Sequence, residues 1–349
     1  MRPGLDRPFG GGNRGVGEHD PVGVAVLMRT PWSLKLGLVL GGGAARGLAH
    51  VGVIRALQRA GIHIHLVAGT SVGSIIGGAW AATMDIDGLE RNLRAILTSE
   101  EFRSNRLSFL KESRQQRGGL LYSVGSLIRR GIAYSVSTMR QSFVSAEEFA
   151  GILGGMVPDV RIEDCMIPFG AVALDLESGD VVVLRHGSLR KAVAASSAIP
   201  GLLPPIRKDG RILIDGGWAD KVPVLPAFRM GADVVVAVDI SADLDDTQDY
   251  RKGTDILVRA NAIKDSVLTG FTRGLADVII EPEVKDIHWA DFDSHDICIE
   301  AGDAAATQAL PAIRELLRQA RWRSMIRPRL GKRLAERYLD SDSMHLTLD

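Results

Sequence analysis

The sequence has few cysteines and no excess of charge of either sign. Its two cysteines, Cys165 and Cys298, have spacing that suits neither a metal site nor a disulfide framework. A reducing compartment, the cytoplasm, is therefore expected. The 42 basic and 42 acidic residues balance to a net charge of zero, so no overall field draws the chain to nucleic acid or to anionic lipid. We expect no nucleic-acid partner.

The chain also lacks an apolar N-terminal segment of the kind that directs secretion. Residues 1–32 are rich in glycine, proline and arginine and have no hydrophobic period, which predicts a flexible tail. Residues 66–84 are uncharged and long enough to imitate a membrane span. A buried strand followed by a buried helix has the same composition, and we interpret the segment as part of an α/β core.

Beyond the tail, strand-like and helix-like segments alternate. This order predicts the α/β class, with a mostly parallel central sheet covered by helices on both faces. We expect the domain to span residues 33–312. Residues 313–349 are locally basic, with apolar residues at four-residue steps, and this pattern predicts an amphipathic segment. Such a segment either docks on the domain or rests on an anionic membrane surface. For a cytoplasmic protein, that surface is the inner face of the membrane.

Residues 86–150 are mostly helix-like and carry the apolar, aromatic stretch 120–139. This stretch fits helices packed over the sheet, and it also fits a cover over the entrance for an apolar substrate. Both interpretations remain open from the sequence, and the choice of substrate depends on them.

The stretch Gly69-Thr70-Ser71-Val72-Gly73 lies between two apolar runs and has the form G-x-S-x-G. The pattern is typical of a nucleophile elbow, a sharp strand-to-helix turn that holds a reactive serine. Gly69 and Gly73 suit it because the turn needs close backbone approach that a Cβ would obstruct. The alternative is an ordinary strand–helix turn, so Ser71 needs chemical partners.

A run of three glycines stands between an earlier strand and helix. Uncovered backbone amides at a helix start bind anions, as in phosphate loops and oxyanion holes. The phosphate loop of nucleotide-binding proteins requires Gly-Lys where this chain has Gly47-Leu48, and the dinucleotide fingerprint requires glycine where Arg46 stands. We therefore predict an oxyanion hole, with Arg46 either stabilising the same charge or holding the loop. Its candidate residues are Gly41, Gly42, Gly43, Ala44 and Arg46.

Asp215 ends the β-like run before Gly216-Gly217 and is predicted to be exposed at the carboxyl edge of the sheet, where open α/β folds bind ligands. A turn aspartate that binds only local backbone is the alternative. If Asp215 meets Ser71, it accepts the serine proton as general base. His288 and His295 have the chain order of a Ser-Asp-His triad, but neither stands in a motif of its own, and we favour a dyad.

Taken together, these motifs resemble the patatin-like phospholipases, particularly the bacterial branch akin to the catalytic domain of neuropathy target esterase. The resemblance spans roughly residues 36–240 and rests on GLVLGGGAARGLAHVGVIRAL, GTSVGS, LDLESG, AVAASSAIPGLLPP, LIDGGWADKVPV and MGADVVVAVDI. It implies a three-layer α/β/α patatin-like fold. It also implies hydrolysis of lipid acyl esters by a Ser71–Asp215 dyad, with no metal or organic cofactor.

The expected function is therefore a serine lipid acyl hydrolase that acts on phospholipid or lysophospholipid through an acyl-enzyme intermediate. A non-catalytic lipid-binding or regulatory protein on the same fold is one alternative, and a Ser-Asp-His hydrolase is another. Each of these functions is compatible with peripheral contact with a membrane.

Overall fold

Strands and helices alternate along the chain as the hydrophobic pattern predicts. The computed structural model describes residues 34–100, 142, 144–242, 253–323 and 346–349. Its strands are β1 Leu36–Leu40, β2 Leu66–Thr70, β3 Phe169–Asp175, β4 Val181–Leu184, β5 Ile206–Lys208, β6 Arg211–Asp215, β7 Val234–Val238, β8 Val278–Ile280 and β9 Leu346–Leu348. Its helices are α1 Ala49–Arg59, α2 Val72–Thr83, α3 Ile86–Thr98, α4 Ala146–Met156, α5 Leu189–Ser196, α6 Val224–Arg229, α7 Gly253–Arg273 and α8 His295–Arg323.

The described strands form one mixed sheet with the order β5-β6-β3-β2-β1-β7-β8, and β4 and β9 extend it beside β3. The strands β3, β2, β1, β7 and β8 are parallel to their neighbours along this path. The pairs β3–β4, β3–β6 and β5–β6 are antiparallel. The predicted mostly parallel sheet is therefore confirmed, and the antiparallel strands lie on the side of the sheet that begins at β3.

Helices cover both faces of this sheet. The evidence is that alternate residues of its central strands pack in two different hydrophobic clusters. In β1, Leu38 packs with α1, α2 and α8, whereas Val39 packs with α6 on the other face. In β7, Val236 and Val235 divide in the same way. Side chains alternate along a strand, so a central strand needs apolar residues at both parities when both faces are covered. The three-layer α/β/α arrangement is thus confirmed.

Two strands end against the same side of β3. In β3, Ala171 pairs with Gly69 of β2 on one side and with β4 on the other. Ala173 pairs with Asp215 of β6 and again with β4, so β6 and β2 share the side opposite β4. Since β6 is antiparallel to β3, it approaches β2 head-on, and the carboxyl ends of the two strands meet.

Helix α8 crosses the boundary expected at residue 313. It continues without interruption to Arg323, and Ile313 and Ala320 are buried in the core. Earlier along α8, a Cβ on Gly302 would lie 1.9 Å from the carbonyl oxygen of Ala49 in α1, so the two helix backbones are in direct contact. The first part of the basic segment 313–349 therefore docks on the domain.

The tail 1–32, residues 101–141, which include the apolar stretch 120–139, and residues 324–345 lie outside the described residues. Within the described ranges, no helix combines the length and the apolar character that crossing a membrane requires.

Candidate active site

Ser71 stands between β2 and α2 with a strained backbone. Its φ is 54° and its ψ is −125°, a conformation that L-residues rarely adopt and that costs about 1–3 kcal/mol. The flanking glycines make this turn possible. A Cβ on Gly73 would lie 2.1 Å from the carbonyl oxygen of Leu40, and one on Gly69 would lie 2.5 Å from that of Gly73. Ser71 therefore stands on a sharp, strained strand-to-helix turn.

The side chain of Ser71 does not cap the helix that it precedes. A serine at the N-cap usually accepts a hydrogen bond from an amide of the first turn. Ser71 makes no such bond, and its Oγ instead donates to Oδ2 of Asp215 at 2.6 Å. The amide of Ser71 donates to both the carbonyl and the Oγ of Ser196, each at 3.1 Å. This arrangement separates Ser71 from an ordinary strand–helix turn.

Asp215 is buried, with 4% of its surface exposed, and this corrects the expectation of an exposed carboxylate. The reason is that β6 is antiparallel to β3 and ends inside the sheet opposite β2. Its Oδ1 accepts the amide of Gly217 at 2.8 Å. Burial raises the pKa of Asp215 to about 6, although the bonds from Ser71 and Gly217 and the charge of Lys221 oppose the rise. Such a carboxylate is a stronger base than an exposed one and is still ionised at neutral pH.

The glycine loop lies against the elbow, but it does not offer all of its amides. A Cβ on Gly42 would lie 3.3 Å from Cβ of Ser71. Three amides of the loop already donate to backbone oxygens: Gly41 to Val238 at 3.1 Å, Gly42 to Lys221 at 2.9 Å, and Ala45 to Trp289 at 2.9 Å. The amides of Gly41 and Gly42 are therefore already bound to backbone oxygens and are not free to donate to an oxyanion. These two bonds hold the loop in place.

The remaining amides of the loop are those of Gly43 and Ala44. Within the described part of the chain, neither donates a hydrogen bond. Ala44 has a positive φ of 50°, and it opens the short 3-10 turn Ala44–Leu48 that leads into α1. Free amides at a helix start are what an oxyanion hole requires.

Arg46 is buried, and its Nε donates to the carbonyl of Ile287 at 2.6 Å. Of the two roles considered for it, this contact favours the one in which Arg46 holds the loop. The bond joins the glycine loop to the segment before α8 across 241 residues.

His50 was not identified from the sequence as part of the site. It lies in the first turn of α1, is fully buried, and its Nε2 donates to the carbonyl of Gly41 at 2.8 Å. Burial lowers the pKa of His50 to about 4, so the ring is neutral at working pH. Because a carbonyl only accepts, the proton is on Nε2, and Nδ1 has no partner among the described residues. The available signal was its place in the motif GLVLGGGAARGLAHVGVIRAL.

Asp220 and Lys221 also support the site, and sequence reasoning missed them. The carbonyl of Asp220 accepts a hydrogen bond at 3.0 Å from Oγ1 of Thr70, the residue before Ser71. The carbonyl of Lys221 accepts a hydrogen bond from the amide of Gly42. Burial raises the pKa of Asp220 well above its ordinary value. Both residues follow Asp215 in the motif LIDGGWADKVPV, which was the only sequence signal for them.

The two histidines considered for a triad make local contacts. Nδ1 of His288 accepts the amide of Ala290 at 3.2 Å, and Nδ1 of His295 donates to the carbonyl of Phe292 at 3.1 Å. The side-chain hydrogen bonds of Asp215 involve Ser71 and Gly217. Among the residues that the structure describes, no group of three His, Cys, Asp or Glu side chains is placed to hold a metal ion.

Known proteins resemble this chain across the same segments. The family model Patatin, described as patatin-like phospholipase, matches residues 38–228. The lysophospholipase NTE1 of Mycosarcoma maydis is 34% identical over 229 residues, which cover 66% of this chain and 11% of that protein. An uncharacterized NTE family protein of Mycobacterium bovis is 34% identical over 221 residues, which cover 63% of this chain and 53% of that protein. The match therefore spans about a tenth to about half of these relatives' length.

Among solved structures, human GIVD cytosolic phospholipase A2 aligns with 82% of this chain and 60% of its own, with 12% sequence identity and a TM-score of 0.49.

Proposed function

The chain belongs to the patatin-like phospholipase family, and from this premise we propose that it is a serine hydrolase of lipid acyl esters that uses Ser71 and Asp215 as a catalytic dyad. The observation that carries the proposal is the 2.6 Å hydrogen bond from Oγ of Ser71 to Oδ2 of Asp215. The hydroxyl of Ser71 makes no helix N-cap bond and instead donates to a buried carboxylate, which is the arrangement that proton transfer requires.

In the first half of the reaction, Oγ of Ser71 attacks the acyl carbonyl carbon while Oδ2 of Asp215 takes its proton. The negative charge that develops on the carbonyl oxygen is stabilised by the amides of Gly43 and Ala44. One such donor typically contributes about 10²–10³ in rate. When the C–O bond of the ester breaks, Asp215 returns the proton to the leaving alcohol, and the acyl group remains on Ser71.

In the second half, Asp215 removes a proton from a water molecule, which attacks the acyl-Ser71 ester. The same two amides stabilise the second oxyanion, and the proton returns to Oγ of Ser71 as the fatty acid leaves. Every proton passes through one carboxylate, so neither a histidine nor a metal or organic cofactor is required.

The proposed substrates are phospholipids or lysophospholipids. The family and the name of the Mycosarcoma maydis relative support this class. We place the reaction in the cytoplasm, peripheral to a membrane. Cysteine usage supports the reducing compartment, since Cys165 and Cys298 are both free thiols.

The experiment that tests the proposal is covalent labelling with a fluorophosphonate, followed by a lysophospholipase assay. We expect Ser71→Ala to abolish both labelling and turnover. Asp215→Asn should lower turnover about 10²–10⁴-fold, as loss of a general base does. Ser145→Ala and Asp85→Asn are matched controls outside the site, because Ser145→Ala removes only a helix N-cap bond and Asp85→Asn removes only the charge of an N-cap residue. Equal labelling of Ser71→Ala and the wild type would show that the nucleophile lies elsewhere.

The same assay separates the two alternatives. A lipid-binding protein without activity would retain phospholipid and release no fatty acid from it. A Ser-Asp-His hydrolase would lose turnover in a folded His288→Ala or His295→Ala variant, whereas the dyad predicts that both remain active.

A further inference from the structure

Helix α7, Gly253–Arg273, is amphipathic in the opposite sense to an ordinary surface helix. Its polar residues Asp255, Thr269 and Thr272 are buried, each with 6% or less of its surface exposed. Six of its large apolar residues are exposed, Leu257 and Val267 at 65% and 68%, and the polar residues Asn261, Lys264 and Ser266 are exposed with them. A surface helix normally buries its apolar stripe and exposes its polar one. This reversal indicates that something apolar covers the outer face of α7.

The exposed apolar residues lie on the same side of the helix. Ile256, Ile263 and Val267 lie on one stripe at helical spacing, and Leu257 and Leu268 lie on the adjacent stripe. From Ile256 to Val267 the stripe extends for roughly 17 Å at the rise of an α-helix. We call these five residues the outer face of α7. Scattered single apolar residues need no explanation, but a contiguous face marks an interaction site.

The opposite side of α7 contacts the surroundings of the glycine loop. Nη1 of Arg273 donates to Oδ2 of Asp239 at 2.5 Å, and Asp239 directly follows β7. Burial lowers the pKa of Lys221, and Asp265 lies close enough for its charge to oppose that shift. Lys221 in turn holds Gly42 through its carbonyl. Helix α7 therefore lies beside the candidate active site, at the same edge of the sheet, with its outer face directed away from the loop.

The charges of α7 are divided between its two sides. The helix has two acidic residues, and both belong to the inner side: Asp255 is buried and Asp265 has a side chain that is 23% exposed. Lys264 has a side chain that is 56% exposed and lies on the stripe between Leu257 and Leu268, with Nζ 3.7 Å from Asp265. An apolar face with a lysine and without an acid matches an anionic lipid surface.

We propose that the outer face of α7 docks on an anionic lipid surface and so holds the candidate active site, which lies beside α7, close to that surface. Docking itself needs no catalysis. The statement that docking delivers substrate rests on the proposed function.

The test is flotation of the full chain with two kinds of vesicle, phosphatidylcholine alone and phosphatidylcholine mixed with phosphatidylglycerol. We expect the wild type to float with the mixed vesicles. The double variant Ile263→Gln/Val267→Gln should lose binding by about tenfold or more, because it removes two exposed apolar side chains from the contact. Lys264→Glu should lose the preference for the mixed vesicles. Leu176→Gln/Ile297→Gln is the matched control, since both residues lie outside α7 and their exposures of 56% and 58% fall between the 42% of Ile263 and the 68% of Val267.

Activity is measured in parallel on lysophospholipid in vesicles and on a water-soluble short-chain ester. We expect the Ile263→Gln/Val267→Gln variant to lose turnover of the vesicle substrate and to keep that of the soluble ester. If the wild type binds vesicles through α7 but hydrolyses neither substrate, docking stands and the proposed function fails.

Two results would overturn the docking proposal. One is equal flotation of the α7 variant and the control variant. The other is a wild type that does not float and sediments as a dimer, while the α7 variant sediments as a monomer, because a second copy of the chain would then cover the outer face.

Discussion

Oγ of Ser71 and Oδ2 of Asp215 lie 2.6 Å apart because β2 and β6 end head-on against the same side of β3. The two residues are separated by 144 positions in the chain. The register of β3 fixes their meeting: Val172 pairs with Thr70, and the next residue, Ala173, pairs with Asp215. A one-residue shift in either pairing would direct a side chain to the other face of the sheet and separate the two groups.

The burial of Asp215 predicts the acid side of the pH profile. The carboxylate must be ionised to accept the proton of Ser71, and burial raises its pKa to about 6. We expect kcat/KM for a soluble ester to fall tenfold per pH unit below about pH 6. Lys221→Met should move this fall to higher pH, because the charge of Lys221 lowers the pKa of Asp215. An unchanged profile between pH 5 and 8 would exclude Asp215 as the base.

The same burial predicts a stability gain in Asp215→Asn. The folded-state pKa is raised from 3.8 to about 6, so protonated Asp215 favours the folded state, and this stability is lost as the pH rises through that range. Above pH 6 the ionised carboxylate costs about 3 kcal/mol. We therefore expect the free energy of unfolding of Asp215→Asn to exceed that of the wild type, and this difference to be larger at pH 7.5 than at pH 5. Urea unfolding at both pH values measures it, and Asp85→Asn should show no such gain.

His50 is expected to position the glycine loop. Replacing it with leucine removes the donor to the carbonyl of Gly41, and glutamine can supply a donor again. We expect His50→Leu to lower kcat roughly 10- to 100-fold with little change in KM, since misplacing catalytic groups affects the transition state most. His50→Gln should recover part of the loss. A purely structural role would lower stability in both variants and leave kcat of the folded protein unchanged.

Gly73 is expected to tolerate no side chain. A Cβ there would meet the carbonyl oxygen of Leu40 at 2.1 Å, which only a backbone shift could relieve. We expect Gly73→Ala to destabilise the fold by about 3 kcal/mol and to abolish activity. Gly151 of α4 is the matched control, because outside its chain neighbours and the adjacent backbone of its own helix no atom lies within 4 Å of a Cβ added there. Gly151→Ala should stabilise by about 0.5–1 kcal/mol in thermal unfolding.

The sequence by itself determined the α/β class, the covered sheet and the family. These follow from local sequence patterns. They are the apolar residues at both odd and even positions of β1 and β7, the glycines around Ser71, and the sequence motifs that resemble those of the family. It also identified Ser71, Asp215 and the glycine loop as the residues to examine, because an elbow and an oxyanion loop need particular residue types at fixed spacing.

Only the tertiary structure decided how these parts are joined. Three features depend on contacts between segments far apart in the chain, and no local pattern encodes them. They are the direction of β6, the burial of Asp215, and the hydrogen bonds that the amides of Gly41 and Gly42 make to backbone oxygens. The same holds for His50, whose role appears only with the carbonyl of Gly41. The outward apolar face of α7 was hidden for this reason too, because periodicity reveals an amphipathic helix and packing alone decides which face is buried.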